Sequence, residues 1–241
     1  MIRAMKKIIS ATTQKLRRIP AFIYQHKLKI GTAVAASVAL QLWLAPPAII
    51  DLSEEAPSHS AELLESWDEG EVIVVMRHLE RCDRYDVPCL TSKEGITARS
   101  EPVAKTLRAH FHALGLEHAD IYNSPMLRTA ETEALVFDDI GHDQDWLIQC
   151  QQDFLGDSLK NKKADRNLVL ITHSRCIKRF QKALELDDET PKYGAALFFH
   201  VGDEPGEIKA LGFIDADDWE TTLDPLRFRP RSEHLLPHRP A

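Results

Sequence analysis

Two short runs of apolar residues constrain the fold of this chain more strongly than any other feature. They are Val72–Met76, with the sequence VIVVM, and Asn167–Thr172, with the sequence NLVLIT. Uninterrupted apolar runs of this length are typical of strands buried on both faces, as in the centre of a parallel sheet. Helical and strand-like stretches alternate around them. This alternation predicts an α/β fold, a three-layer sandwich with a mostly parallel central sheet flanked by helices.

Apolar spacing and turn residues predict the other elements. Apolar residues at helical spacing before Gly115 predict a helix over Thr97–Leu114, and Ser124-Pro125 opens a further helix that runs through Phe137. The remaining predictions are a strand over Ala119–Asn123, a helix over Ser174–Leu186, and two late strands, with a hairpin as one arrangement of them, over Ala195–Val201 and Glu207–Ile214.

Charged side chains follow both apolar runs at the point where each strand is expected to end. Arg77, His78 and Arg81 come directly after the first run, and His173 follows the second. Ligands of open α/β sheets bind at the carboxyl ends of the strands. A histidine between two arginines in this position indicates a site for an anion.

The N-terminal part of the chain has the charge pattern of a membrane anchor. Residues 1–29 carry eight basic and no acidic side chains, and the following stretch, Ile30–Ala45, carries no charge. A basic flank before an apolar segment, with acidic residues after it, places the N-terminus in the cytoplasm and the body outside. We therefore expect an uncleaved signal anchor, with a cleaved signal peptide or a buried helix of a soluble protein as alternatives.

These features divide the chain into five parts. They are a basic cytoplasmic arm (1–29), a transmembrane signal anchor (30–47), a linker (48–70) with a short helix over Ser60–Trp67, a main domain (71–215) and an irregular C-terminal tail (216–241). All 37 acidic residues lie beyond the arm, and an acidic body argues against nucleic-acid binding. The expected location is the inner membrane, single-pass, with the main domain in the periplasm; a secreted periplasmic protein is the alternative.

The four cysteines suit an oxidising compartment. Cys82, Cys89, Cys150 and Cys176 all lie in the main domain, and four cysteines allow three disulfide connectivities. Cys82 and Cys89 are close enough in the chain to clip the loop after the first strand. Cys150 and Cys176 would then form the second bridge. A zinc site is the weaker alternative, because no C-x2-C pair occurs.

Three polar motifs at strand ends together resemble the histidine phosphatase superfamily. They are MRHLER (76–81), NSPMLRTAETE (123–133) and LITHSRC (170–176), and the resemblance covers roughly residues 71–200. The first motif resembles the family's Arg-His-Gly, with Leu79 in place of the glycine. The second resembles its Ser-Pro-x-x-Arg-x-x-x-Thr motif, and the third resembles the strand that ends in its second histidine.

The resemblance assigns roles to five residues. His78 would be the nucleophile that forms a phosphohistidine, and Arg77, Arg81, Arg128 and His173 would bind the transferring phosphoryl group. Arginine suits this task because its guanidinium donates forked hydrogen bonds to phosphate oxygens, which lysine cannot do. Neither a metal nor another cofactor is required. Alternatively, Arg128 could pair with glutamates on its own helix, Glu131 or Glu133.

The general acid of this chemistry is missing from its usual places. Protonation of a leaving group commonly needs a nearby carboxyl group. The acid phosphatases of the superfamily carry it directly after the second histidine, where this chain has Ser174, and the mutase-like branch carries it near Gln149 and Cys150. Substitutes that the sequence does not rank are Asp153, Glu80, Asp83 and Glu131. Residues that either extend the anion site or are surface charges are Arg84, Arg175 and Lys178.

The segment RHLERCDRYDVPCLTSKEGIT (77–97) resembles one branch of the superfamily in particular, the periplasmic lipopolysaccharide core heptose(II)-phosphate phosphatases. This resemblance implies a phosphomonoesterase acting on an extracytoplasmic substrate, such as a heptose phosphate of the lipopolysaccharide core. Its expected partners are a phosphorylated small molecule or glycolipid and the inner membrane. The alternatives are a phosphohistidine or other phosphoprotein phosphatase, and a non-catalytic anion-binding envelope module on the same fold.

Overall fold

The computed structural model describes residues 45–150, 153–202, 204 and 206–227. The predicted basic arm and all but the last residues of the predicted anchor lie outside these ranges. Among the described residues, no helix combines the length and apolarity needed to cross a bilayer. The following description concerns the compact unit that begins at Pro47.

The centre of this unit is a six-stranded mixed sheet with the order β3-β2-β4-β1-β5-β6. The strands are β1 (Val72–Arg77), β2 (Ala119–Asn123), β3 (His142–Asp143), β4 (Asn167–Thr172), β5 (Ala196–Val201) and β6 (Ile208–Ile214). Strands β1 to β4 are parallel, whereas β5 runs antiparallel to β1 and forms a hairpin with β6. The two apolar runs of the sequence are thus neighbours in the middle of the sheet, which confirms the mostly parallel α/β prediction.

Helices cover both faces of the sheet. They are α1 (Pro57–Asp68), α2 (Ser100–Leu114), α3 (Leu127–Phe137), α4 (Trp146–Gln149), α5 (Phe154–Asn161), α6 (Ser174–Ala183) and α7 (Trp219–Arg227). Alternate residues of β1 enter different hydrophobic clusters. Val74 packs with Phe111 of α2 and Trp219 of α7, while Val75 packs with Phe154 and Phe180 of α5 and α6. Burial on both faces therefore requires an apolar residue at every position of β1 from Val72 to Met76.

The segment predicted as a linker, 48–70, differs from that expectation. Its helix α1 is longer than predicted, and Leu63 and Trp67 are buried in the core. The Trp67 indole Nε1–H donates to the carbonyl oxygen of Leu114 at 3.0 Å, at the end of α2. The acidic, proline-bearing composition suggested a solvated segment, but the few apolar side chains of α1 face the sheet.

The C-terminal tail, predicted to be irregular from residue 216, forms α7 over Trp219–Arg227. Trp219 has no solvent exposure, and its ring centroid lies 4.6 Å from that of Phe111. The proline- and arginine-rich sequence that suggested an irregular tail lies beyond Arg227, outside the described residues. The short elements β3, α4 and α5 were also not predicted, because each is too short to show a clear apolar period.

Both disulfides form with the connectivity that the spacing favoured. Cys82 is bonded to Cys89 and Cys150 to Cys176, with Cα–Cα distances of 5.3 and 5.5 Å. The first bridge closes the loop that follows β1, and the second joins the end of α4 to the first turn of α6. Both bridges therefore lie in segments that leave the carboxyl edge of the sheet.

Candidate active site

The three polar motifs meet because β2, β4 and β1 are adjacent in the sheet. Arg77 is paired with Thr172 at the ends of β1 and β4, and the His78 amide donates to the Thr172 carbonyl at 3.1 Å. The Ser124 amide donates in the same way to Ile171 at 3.1 Å. Parallel strands end at the same edge, so residues that follow each strand are brought side by side. The rings of His78 and His173 consequently lie 5.3 Å apart between centroids.

All five predicted site residues line one pocket of about 470 Å³. Its other charged lining residues are Arg84 and Arg175, so the pocket contains five arginines, and no carboxylate lines it among the described residues. Lys178 does not line the pocket. A cluster of positive charge in an acidic protein is the electrostatic footprint of an anion site.

His78 is uncharged, and one of its two ring nitrogens keeps a free lone pair. It is only 2% exposed, and its Nδ1 lies 2.7 Å from the carbonyl oxygen of Leu79. A carbonyl only accepts hydrogen bonds, so Nδ1 carries the proton and Nε2 keeps its lone pair. Burial lowers the pKa of His78 well below its ordinary value, and the charges of His173, Arg128 and Arg77 act in the same direction, against the backbone hydrogen bond. Such a ring can act as a nucleophile at neutral pH.

The departure from the family's glycine after this histidine is accommodated by the core. Leu79 is 2% exposed and packs within the hydrophobic cluster beneath α2. Its amide donates to the Thr132 hydroxyl at 3.0 Å, and that hydroxyl donates to the Arg128 carbonyl at 2.7 Å. The threonine of the middle motif therefore connects α3 to the loop that carries His78.

Arg77 lies against an aromatic ring on the floor of the pocket. Its guanidinium carbon is 3.7 Å from the centroid of the Tyr193 ring, and its Nη1 donates to the Pro191 carbonyl at 2.6 Å. Its Nε–H is buried and has no hydrogen-bond partner among the described residues. Tyr193 was not predicted as a site residue. It lies in the loop before β5, and no local pattern in the sequence indicates that this loop reaches the pocket.

His173 is held between α3 and the residue that follows β2. Arg128 Nη2 lies 3.2 Å from His173 Nδ1, and the Ser124 hydroxyl lies 2.8 Å from Nε2. Arginine only donates, so Nδ1 accepts and Nε2 carries the proton that is donated to Ser124. Burial, together with the charges of Arg128 and Arg81, lowers the pKa of His173 to about 3.

Arg128 thus faces the pocket rather than the glutamates of its helix. Its Nε–H, like that of Arg77, is buried without a partner among the described residues. Glu131 instead accepts from the Ile96 amide at 2.6 Å, and Glu133 accepts from the Gly141 amide at 2.6 Å. The helix-face alternative for Arg128 is therefore wrong.

Arg81 is engaged by a carboxylate. Its Nε donates to Asp83 Oδ1 at 2.8 Å, and its Nη2 contacts the other oxygen, so the pair is bidentate. These hydrogen bonds hold the pKa of Asp83 below its ordinary value. Asp83 is therefore a carboxylate beside the pocket, and its proton affinity is low for a general acid.

The other three candidates for the general acid have structural partners. Glu80 pairs with the exposed Arg99, Glu131 holds the backbone at Ile96, and Asp153 caps α5 by accepting from the Gly156 amide at 2.8 Å.

No family model matches the chain. Curated relatives do match it: the lipopolysaccharide core heptose(II)-phosphate phosphatases of Escherichia coli O7:K1 (strain IAI39) and of E. coli K12 (DH10B) are each 31% identical over 146 residues, which cover 57% of this chain and 68% of the relative. The chain belongs to the histidine phosphatase superfamily. It is a phosphoric monoester hydrolase, and its family includes the heptose phosphatase branch that the motifs indicated.

Solved structures also match this histidine phosphatase, at lower sequence identity. SixA from Agrobacterium tumefaciens is 11% identical with a TM-score of 0.47, and the match covers 60% of this chain and 97% of SixA. A phosphoserine phosphatase from Entamoeba histolytica is 12% identical with a TM-score of 0.43, covering 61% of this chain and 98% of that one.

Proposed function

We propose that this histidine phosphatase hydrolyses a phosphomonoester through a phosphohistidine on His78, and that its substrate is an extracytoplasmic heptose phosphate of the lipopolysaccharide core. The observation that carries the mechanism is the fixed tautomer of His78. A buried, neutral imidazole with Nδ1–H on a backbone carbonyl leaves Nε2 as the nucleophilic nitrogen of the pocket.

The reaction then takes two steps. Nε2 of His78 attacks phosphorus, the bond from phosphorus to the ester oxygen breaks, and the alcohol leaves with a proton. Water next attacks the phosphohistidine, the N–P bond breaks, and inorganic phosphate is released. In both steps the guanidinium groups of Arg77 and Arg128, which line the pocket beside His78, donate to the equatorial oxygens, where charge develops.

The substrate phosphate and Asp83 compete for Arg81. Phosphate oxygens that reach Arg81 must share or displace the carboxylate that now holds it. Asp83 is then released beside the incoming dianion. A carboxylate next to that negative charge gains proton affinity, which makes Asp83 our choice among the four candidates for the group that protonates the leaving oxygen.

The substrate assignment rests on the relatives and on the chemistry of the body. The matched relatives are named for the heptose(II) phosphate of the lipopolysaccharide core. Two disulfides favour an oxidising compartment, as in the periplasm. We propose that the apolar segment at 30–47 anchors the chain in the inner membrane and keeps the pocket outside the cytoplasm.

A second candidate activity is hydrolysis of a phosphohistidine or another phosphorylated protein side chain. The observation in its favour is that no carboxylate lines the pocket among the described residues. Imidazole is a much weaker base than a sugar alkoxide and therefore a better leaving group, so such a substrate has less need of an acid.

The mechanism is tested with the full chain, purified with its disulfides intact, and a generic aryl phosphate. An aryl leaving group needs little protonation, so this assay isolates the nucleophile from the general acid. We expect wild type to release phosphate and to yield an acid-labile, base-stable phosphoprotein on rapid quenching, and His78→Ala to do neither. His112→Ala, which removes an exposed histidine paired with Asp138, is the matched control. Full activity in a correctly folded His78→Ala protein would refute the mechanism.

The substrate is tested with purified lipopolysaccharide. Phosphate release is measured from molecules that carry the phosphate on the second heptose and from molecules that lack only this group. Release confined to the first supports the proposal. Turnover of a phosphohistidine peptide without release from either lipopolysaccharide would favour the second candidate.

A further inference from the structure

Two arginines of the pocket have no task in the reaction proposed above. Arg84 ends a short 3-10 turn, Cys82–Arg84, which follows Arg81, and Arg175 lies in the first turn of α6, two residues after His173. Both line the same pocket as the nucleophile. Both are solvent-exposed, whereas His78 is buried, so they lie at the rim of the pocket.

These two side chains are unpaired in a protein with an excess of acidic groups. Neither Arg84 nor Arg175 has a hydrogen bond or ion pair among the described residues. Other exposed arginines of the body do have such partners: Arg99 pairs with Glu80, and Arg108 with Asp138. Within the described part of the chain, exposed arginines without such a partner are therefore found at this rim.

The positive charges of the two arginines act on His173 and Asp83 in the pocket and beside it. Arg175 is among the charges that lower the pKa of His173, and Arg84 is among those that lower the pKa of Asp83. The phosphoryl group already has three arginines for its oxygens, and a pocket of about 470 Å³ is much larger than one phosphate. Space and positive charge both remain for another part of the substrate.

We propose that Arg84 and Arg175 select substrates that carry a second anionic group, a phosphate or a carboxylate, close to the phosphomonoester that reacts. The two arginines bind the second anion at the rim while Arg77, Arg81 and Arg128 bind the reacting one. The expected preference in turnover rests on the phosphatase mechanism proposed above, whereas the expected preference in binding does not.

Matched sugar phosphates test the preference with the full chain. The probes are glucose 6-phosphate, glucose 1,6-bisphosphate and 6-phosphogluconate, which share the 6-phosphate and differ in the second group. We expect kcat/KM to be about tenfold higher for a doubly anionic probe, beyond the statistical factor of two for the bisphosphate; tenfold corresponds to about 1.4 kcal/mol. A preference for one of the two doubly anionic probes identifies the second group as phosphate or carboxylate.

The double variant Arg84→Gln/Arg175→Gln should bring this ratio close to one. Both side chains are exposed, so the variant is expected to fold. Arg108→Gln is the matched control, since it removes an exposed arginine outside the pocket and should leave the ratio unchanged. Equal kcat/KM for all three probes in wild type, or a ratio that survives the double variant, would overturn the proposal.

Binding to His78→Ala separates this inference from the mechanism. Calorimetric titration of that variant with glucose 6-phosphate and glucose 1,6-bisphosphate requires no turnover. About tenfold tighter binding of the bisphosphate supports the second anion subsite even if wild type proves inactive on every probe, which would count against the phosphatase mechanism alone. Equal affinities would remove the subsite while leaving the phosphohistidine mechanism intact.

Discussion

Replacement of His173 by asparagine should make the protein more resistant to acid. The pKa of His173 is lowered from 6.5 to about 3 in the folded chain, chiefly by burial and by Arg128. In the unfolded chain its pKa returns to the ordinary value. Between these two values the unfolded state binds more protons, so the folded state loses stability as the pH falls below 6.5, until it approaches about 3.

The size of the effect follows from the pKa difference. Each pH unit within this window costs about 1.36 kcal/mol of the free energy of unfolding, so the loss at pH 4.5 is about 2.7 kcal/mol. His173 is not fully buried, and screening by solvent reduces the expected loss to about 2 kcal/mol. His78 is present in both proteins, so its own contribution cancels to a first approximation.

The assay is urea unfolding of wild type and His173→Asn at pH 7.5 and pH 4.5. Between these values wild type should lose about 2 kcal/mol more than the variant. His142→Asn, which removes an exposed histidine on β3, is measured beside them as the control. Equal losses for wild type and His173→Asn would refute the argument, because they would mean that His173 is protonated as readily in the folded as in the unfolded chain.

Three further predictions concern other parts of the structure. Asp83→Asn should tighten binding of inorganic phosphate several-fold by calorimetry, because the neutral amide no longer competes for Arg81; weaker binding would contradict this. Removal of the Cys82–Cys89 bridge by a double change to serine should lower the free energy of unfolding in urea by about 2–3 kcal/mol. It should also lower kcat/KM, because the bridge fixes the segment that directly follows Arg81; unchanged kcat/KM would show that this segment holds its shape without the bridge. Trp219→Ala should cost about 3–5 kcal/mol in the same unfolding assay; a loss below 1 kcal/mol would mean that α7 contributes little to the core.

The site follows from the topology in a simple way. Each motif supplies residues at the end of one parallel strand, and the order β2-β4-β1 makes these ends neighbours. His78 and Ser124 are positioned by backbone hydrogen bonds to Thr172 and Ile171 of β4, and His173 follows that strand directly. Arg77 is then oriented by a contact from farther along the chain, the ring of Tyr193, whereas Arg81 is held by its neighbour Asp83.

The sequence by itself predicted the central strands and the five site residues, and it made the observed pairing of the cysteines one of three possible connectivities. Each of these leaves a local signal: an apolar run, a motif at a strand end, or a short spacing such as that between Cys82 and Cys89. The tertiary structure alone decided that α1 and α7 pack on the sheet, that Tyr193 packs against Arg77, and that Arg84 and Arg175 share one pocket with His78. These outcomes depend on contacts between side chains that are distant in the sequence. The free energy of such contacts depends on burial and distance rather than on local composition.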